Sequence, residues 1–154
     1  MSLEIERKYL AANEDWKAFA SNPVRLCQKY IPLGDGIKGV VRIRIAGDHA
    51  FLTLKTPQSG FVRGEYEYEI PVKDAEELMV QFCPGGSVDK LRYRVEYKGK
   101  VWEIDEFTGY YSGLVLAEIE LNSADESFEV PPWIGREVSG DFHYSNSYLA
   151  RHAK

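Results

Sequence analysis

The sequence predicts a mainly β fold, an α+β chain whose eight strands close into an antiparallel barrel with a few short flanking helices. Three observations lead there. Eight segments alternate residue by residue between two kinds of side chain, which is the period of a strand. The connections between most of them are of hairpin length, which favours antiparallel pairing. One parity is apolar and the other charged on strand after strand, and closing such a sheet removes its exposed edges. The 154 residues, 44% of them hydrophobic, suit one domain over 1–154 with a sizeable core.

The first strand is read over residues 2–9, with Glu4, Glu6 and Lys8 on one face and Leu3, Ile5 and Tyr9 on the other. Asn13 is expected to cap a short helix whose stripe is Trp16, Phe19 and Ala20, closed by Pro23. The second strand, 24–33, ends at Gly34-Asp35-Gly36. Strands at 39–46 and 50–56 flank the turn Gly47-Asp48-His49, and a fifth follows at 61–70. Pro71 ends it, and Asp74 is expected to cap a helix to about Cys83 with Ala75, Leu78, Met79 and Phe82 on its stripe. Strands at 88–98, 100–107 and 114–121 complete the set. Residues 122–144 read as loop, and Ser145 as the cap of a last short helix.

The polar parity carries Arg42 and Arg44; Thr53 and Lys55; Arg63, Glu65, Glu67 and Glu69; Lys90, Arg92, Arg94 and Glu96; Glu103 and Asp105; Glu118 and Glu120. A sheet with one solvated face would share this alternation. Solvated faces, however, mix in Thr, Ser and Gln. Same-sign pairs such as Glu4/Glu6, Arg42/Arg44 and Glu118/Glu120 repel unless a counter-charge binds between them. Carboxylate clusters call for a hard divalent cation, and guanidinium and ammonium clusters for phosphates. A wet tunnel holding both would meet the cost of enclosing such charges.

These residues resemble the CYTH superfamily, the triphosphate tunnel metalloenzymes, in the form of its short bacterial members. The likeness runs from Glu4-x-Glu6-x-Lys8 through Arg42-x-Arg44, Thr53-x-Lys55, Arg63 to Ile70, Lys90-x-Arg92-Tyr93, Trp102 to Asp105, and Ala117 to Glu120. It continues in Gly135 to Val138 and Tyr144 to Asn146. Glu-x-Glu-x-Lys alone is a weak signature; the ordered set over nearly the whole chain is specific.

The resemblance implies an eight-stranded tunnel that binds a triphosphate with Mg²⁺ or Mn²⁺. It implies Glu4, Glu6, Glu118 and Glu120 as metal ligands, and Lys8, Arg42, Arg44, Lys55, Arg63, Lys90 and Arg92 as the phosphate grip. Water would be oriented by a carboxylate from Glu65, Glu67, Glu69 or Asp105, with Lys8 in the catalytic set. Hydrolysis of inorganic tripolyphosphate to diphosphate and phosphate leads the expected activities. Cyclisation of ATP to cyclic AMP, hydrolysis of thiamine or nucleoside triphosphates, and non-catalytic polyphosphate binding are the alternatives.

Net charge −5 argues against a partner in duplex nucleic acid, no apolar run reaches membrane length, and Cys27 and Cys83 show no disulfide or metal spacing. A cytoplasmic protein is the expectation, and the apolar parity leaves room for a homodimer. His49, His143 and His152 are read as surface residues, Cys27 and Cys83 as small buried groups.

Overall fold

The computed structural model describes residues 1–154. Its strands are β1 (Ser2–Ala11), β2 (Val24–Ile31), β3 (Val40–Ala46), β4 (His49–Lys55), β5 (Val62–Ile70), β6 (Val88–Tyr97), β7 (Lys100–Thr108), β8 (Val115–Glu120) and β9 (Ile134–Glu137). Two helices, α1 (Val72–Phe82) and α2 (Asn146–His152), join them, with 3-10 turns at Asp15–Phe19, Gly109–Tyr111 and Phe142–Tyr144.

The ladder runs β5-β4-β3-β2-β6-β7-β8-β1, and a further pairing of β1 with β5 closes it into an eight-stranded ring. Every pairing in the ring is antiparallel. β1 is the closing stave. One of its edges is shared: Ser2 to Ile5 pair with β5, and Tyr9 and Ala11 pair with β9. Its other edge pairs Glu6 to Leu10 with β8.

Apolar side chains pack mostly outside the ring, in separate patches. Trp16, Trp102, Trp133, Tyr9, Ile104 and Ile119 belong to one patch over β1, β7 and β8. Ala75, Met79 and the neighbouring Cys83 cover Ile43 and Ala50 of β3 and β4. A third group differs: Val88, Phe107 and Leu116 share the parity of Lys90, Asp105 and Glu118, so they face inward and meet Leu149 of α2. The charged interior therefore ends in an apolar plug beneath α2. Leu3, Leu54, Tyr66 and Tyr68, on β1, β4 and β5, stay exposed, so no helix covers this outer face.

Several local expectations change. Residues 122–144 are not all loop, because β9 lies within them. Asn13 does not cap an α-helix; its Oδ1 accepts from the Asp15 N–H and leads into a 3-10 turn. That single turn buries Trp16 and leaves Phe19, its last residue before the chain becomes extended at Ala20, 70% exposed. α1 begins at Val72, just after Pro71, and Asp74 sits in its first turn, where a negative charge suits the helix dipole. Phe82 is 51% exposed, and Cys83 takes the buried place. Ser145 does cap α2, accepting from the Tyr148 N–H.

Candidate active site

The barrel encloses a cavity of about 230 Å³ with no hydrophobic residue in its lining. β1 supplies Glu4 and Glu6, β3 supplies Arg42 and Arg44, and β4 supplies Lys55. β5 supplies Glu65 and Glu67, β6 Arg92, and β8 Glu118 and Glu120. The cavity runs on at one end into a mouth of about 350 Å³ through Glu4, Glu6, Arg42, Lys55 and Asn146. Lys8 and Arg63 line that mouth. At the other end Arg44, Glu67, Arg92 and Glu103 border a third space of about 260 Å³.

Most of the charges neutralise one another. Lys55 Nζ lies 2.8 Å from Glu4 Oε2 and 3.5 Å from Glu65. Burial works to raise the Glu4 carboxyl, but Lys55 overrides it and holds it below its ordinary value. Lys8 reaches Glu118 at 3.6 Å and donates to the Tyr144 carbonyl at 3.2 Å. Burial likewise opposes ionisation of Glu118, yet Lys8 and Arg92 push its carboxyl down to about 2. Arg42 donates to Thr53 Oγ1 at 3.3 Å and to Glu67 at 3.4 Å. Arg63 donates to the Thr56 carbonyl.

Asp105 and Lys90 stand behind the cavity wall, their side chains 1% and 0% exposed. Lys90 Nζ lies 2.7 Å from Asp105 Oδ2 and donates to Asn146 Oδ1 at 3.1 Å. Arg92 grips both Asp105 oxygens, at 2.7 and 2.8 Å. Burial disfavours the Asp105 charge, but Arg92 and Lys90 hold its carboxyl far below the usual range. Burial pushes the Lys90 ammonium down, against the pull of Asp105.

A few groups are left with charge or donors to spare. Arg42 Nε is buried without a partner. Arg44 makes one hydrogen bond, from Nε to Gln28 Oε1 at 2.8 Å. Burial, with Arg42 and Arg92 nearby, lowers its guanidinium to about 10. Glu6 and Glu120 face each other across the β1–β8 ladder and neither has a cationic partner. Burial raises both carboxyls, Glu6 markedly, with Glu118 and Glu4 adding repulsion at Glu6 and Glu4 and Glu103 at Glu120.

The donor set suits a hard cation: seven glutamates border one cavity, and two of them, Glu6 and Glu120, lack a counter-charge. They are not drawn together into a ready cage of three acidic ligands, because Glu4 and Glu118 lean toward lysine and arginine.

The sequence reading missed Gln28, Tyr30 and Asn146, which reach the tunnel wall or its mouth. Glu103, which shares the polar parity with Asp105, lies 3.4 Å from Arg92 on the cavity wall. Glu69 sits apart on the surface, paired with His49. His143 pairs with Asp141, and the His152 Nδ1–H donates to the Tyr148 carbonyl, both at the surface.

The CYTH domain family matches residues 2–152. An inorganic triphosphatase of Acetivibrio thermocellus is 44% identical over 151 residues, covering 98% of this chain and 95% of that protein. An inorganic triphosphatase of Nitrosomonas europaea is 38% identical over 150 residues, covering 96% of each. The solved structure of the inorganic triphosphatase NE1496 superposes with a TM-score of 0.70 at 37% identity, over 97% of this chain and 95% of that one. With a match over nearly its full length and these relatives, the chain belongs to the CYTH family.

Proposed function

We propose that this protein hydrolyses inorganic tripolyphosphate to diphosphate and phosphate, using Mg²⁺ or Mn²⁺. One observation carries the reading. A single cavity holds an arginine with no carboxylate partner, Arg44, and an unpaired carboxylate pair, Glu6 and Glu120. Such a cavity wants an anion and a cation together, which is the chemistry of a metal polyphosphate. The curated relatives supply the name of the substrate.

Membership in the family implies a divalent metal. Glu4, Glu6, Glu118 and Glu120 would hold it, with Lys55, Lys8 and Arg92 released toward phosphate as the carboxylates turn. A bound Mg²⁺ or Mn²⁺ neutralises phosphate oxygens and lowers the cost of charge that builds on the leaving group. Arg42 and Arg44 offer planar donor pairs to phosphate, while Lys8 and Lys55 act as point charges. Arg63 guards the mouth. Asp105, paired with Lys90 and sealed with it from the cavity, holds Arg92.

In-line attack needs a carboxylate to orient water at the terminal phosphorus. Glu67 is engaged by Thr53 and Arg42, and Asp105 by two cations. Glu65 is freer, and burial raises its carboxyl despite Lys55, which makes it a better proton acceptor than Asp105. We assign it the water.

No helix is long and apolar enough to cross a membrane. The two free cysteines fit a reducing cytoplasm. Sedimentation decides whether the protein is a homodimer.

The test is a panel of tripolyphosphate, ATP and thiamine triphosphate with Mg²⁺ or Mn²⁺, measuring phosphate, pyrophosphate and cyclic nucleotide separately. Tripolyphosphate should be the best substrate, and Glu4→Ala and Lys8→Ala should each lower its turnover at least about a hundredfold. Unchanged turnover in both variants sinks the assignment, and cyclic AMP as the main product from ATP replaces it with cyclisation.

A further inference from the structure

β2 is the one central stave whose inward row, Leu26, Gln28 and Tyr30, carries no charge. Gln28 is nonetheless fully buried in the barrel wall. Its neighbour across the β2–β3 ladder is Arg44, and the Arg44 Nε–H donates to its Oε1 at 2.8 Å. An arginine Nε can only donate, so this bond fixes which end of the amide faces it. The other end, Nε2, donates to the Tyr30 hydroxyl at 3.2 Å. Both ends of the amide are thus used, and both uses are on tunnel side chains.

The partner's neutrality sets Arg44 apart from the other cations lining the cavity, Arg42, Lys55 and Arg92. Lys8, Arg42, Lys55, Lys90 and Arg92 each have a carboxylate within 4 Å. Arg44 has none, although it is in the same cavity. A glutamate of the same size would pair with Arg44 and cancel its charge. An amide oxygen anchors the plane of the guanidinium and leaves its charge and its terminal N–H groups for the cavity.

We propose that Gln28 is a positioning residue for the tunnel's anion: it aims Arg44 into the cavity and, being neutral, keeps that arginine's charge available to phosphate. This rests on the triphosphate reading of the cavity and adds a residue to it.

The experiment measures the Kd for tripolyphosphate by calorimetry, KM and kcat, and thermal stability, in the wild type, Gln28→Glu, Gln28→Met, Arg44→Ala and Arg44→Ala/Gln28→Met. Gln28→Glu should raise Kd and KM about tenfold to a hundredfold, the worth of one charge-assisted hydrogen bond that phosphate cedes to an internal competitor, with a smaller change in kcat. Gln28→Met, which keeps the bulk without the acceptor, should raise Kd by several-fold. In the Arg44→Ala background the same change should add nothing, because the residue acts through that arginine.

Lowered melting temperatures with unchanged Kd and KM make Gln28 a packing residue only and overturn the inference. So does a Gln28→Met effect that persists at full size without Arg44. A wild type that neither binds nor hydrolyses tripolyphosphate overturns the triphosphate reading itself, whereas binding and turnover left intact in Gln28→Glu overturn only the role of Gln28.

Discussion

Replacing Asp105 with Asn tests the sealed charge cluster behind the cavity. The substitution keeps shape and removes one negative charge from between two cations. Arg92 is left with Glu103 at 3.4 Å and Glu118 at 3.7 Å. Lys90, with no side-chain exposure, is left with the Asn146 amide oxygen. One cation is therefore orphaned, and breaking a buried pair this way costs about 3–5 kcal/mol. With a urea dependence of about 2 kcal/mol per molar, the unfolding midpoint should fall by roughly 2 M. Lys90→Met/Asp105→Asn removes the orphan and should recover at least half of the loss.

The pH dependence has a definite sign. The native Asp105 carboxyl lies well below its ordinary value of 3.8, so the unfolded chain takes up its proton first as pH falls. Asp105 thus stabilises fully above its ordinary value, and its contribution to the gap between wild type and variant should be lost as pH falls below that value. Urea titrations followed by tryptophan fluorescence give all of these values. A single variant within about 1 kcal/mol of the wild type, or a double variant less stable than the single, refutes the reasoning.

Two other predictions concern the frame. Burial, reinforced by Asp89, pushes the Cys27 thiol up to about 11, so native labelling at pH 8 should run on the order of a hundredfold slower than in urea and climb about tenfold per pH unit. Labelling at the unfolded rate contradicts it. At Gly39, φ is +112° and an added β-carbon would sit 2.4 Å from the Lys55 carbonyl oxygen. Gly39→Ala should therefore cost more than about 1 kcal/mol and lower kcat/KM by shifting Lys55, while Gly34→Ala, in open space, should do neither.

The barrel and most of its lining were legible because a strand's period is two and the inward rows are charged. The same rule fails where the inward residues are neutral. Gln28 and Tyr30 on β2 carry no charge signal, so a reading by charge passes over them. β9 is four residues beside Pro131 and Pro132, too short to show alternation, and its place is set by Tyr9 and Ala11 on the far-off β1. Parity put Lys90 and Asp105 inside the barrel but not behind its wall; that depends on Asn146 of α2, which approaches from 56 residues away along the chain. Phe19 marks another limit: a helical stripe was expected of a segment that makes one short 3-10 turn and buries only Trp16.

The position of β1 as closing stave has a consequence for synthesis. Glu4 and Glu6 are made more than a hundred residues before the strand that brings Glu118 and Glu120 beside them. Until β5 and then β8 arrive, β1 has two bare edges and no site exists on it. Pairing at such long range is slow to form and exposes strand edges meanwhile. The carboxylates along β1 keep those waiting edges soluble, so the charges proposed to serve the finished enzyme would also protect the unfinished one. Nascent chains halted before Val115 should be inactive yet less prone to aggregate than the same chains carrying Glu4→Val and Glu6→Val.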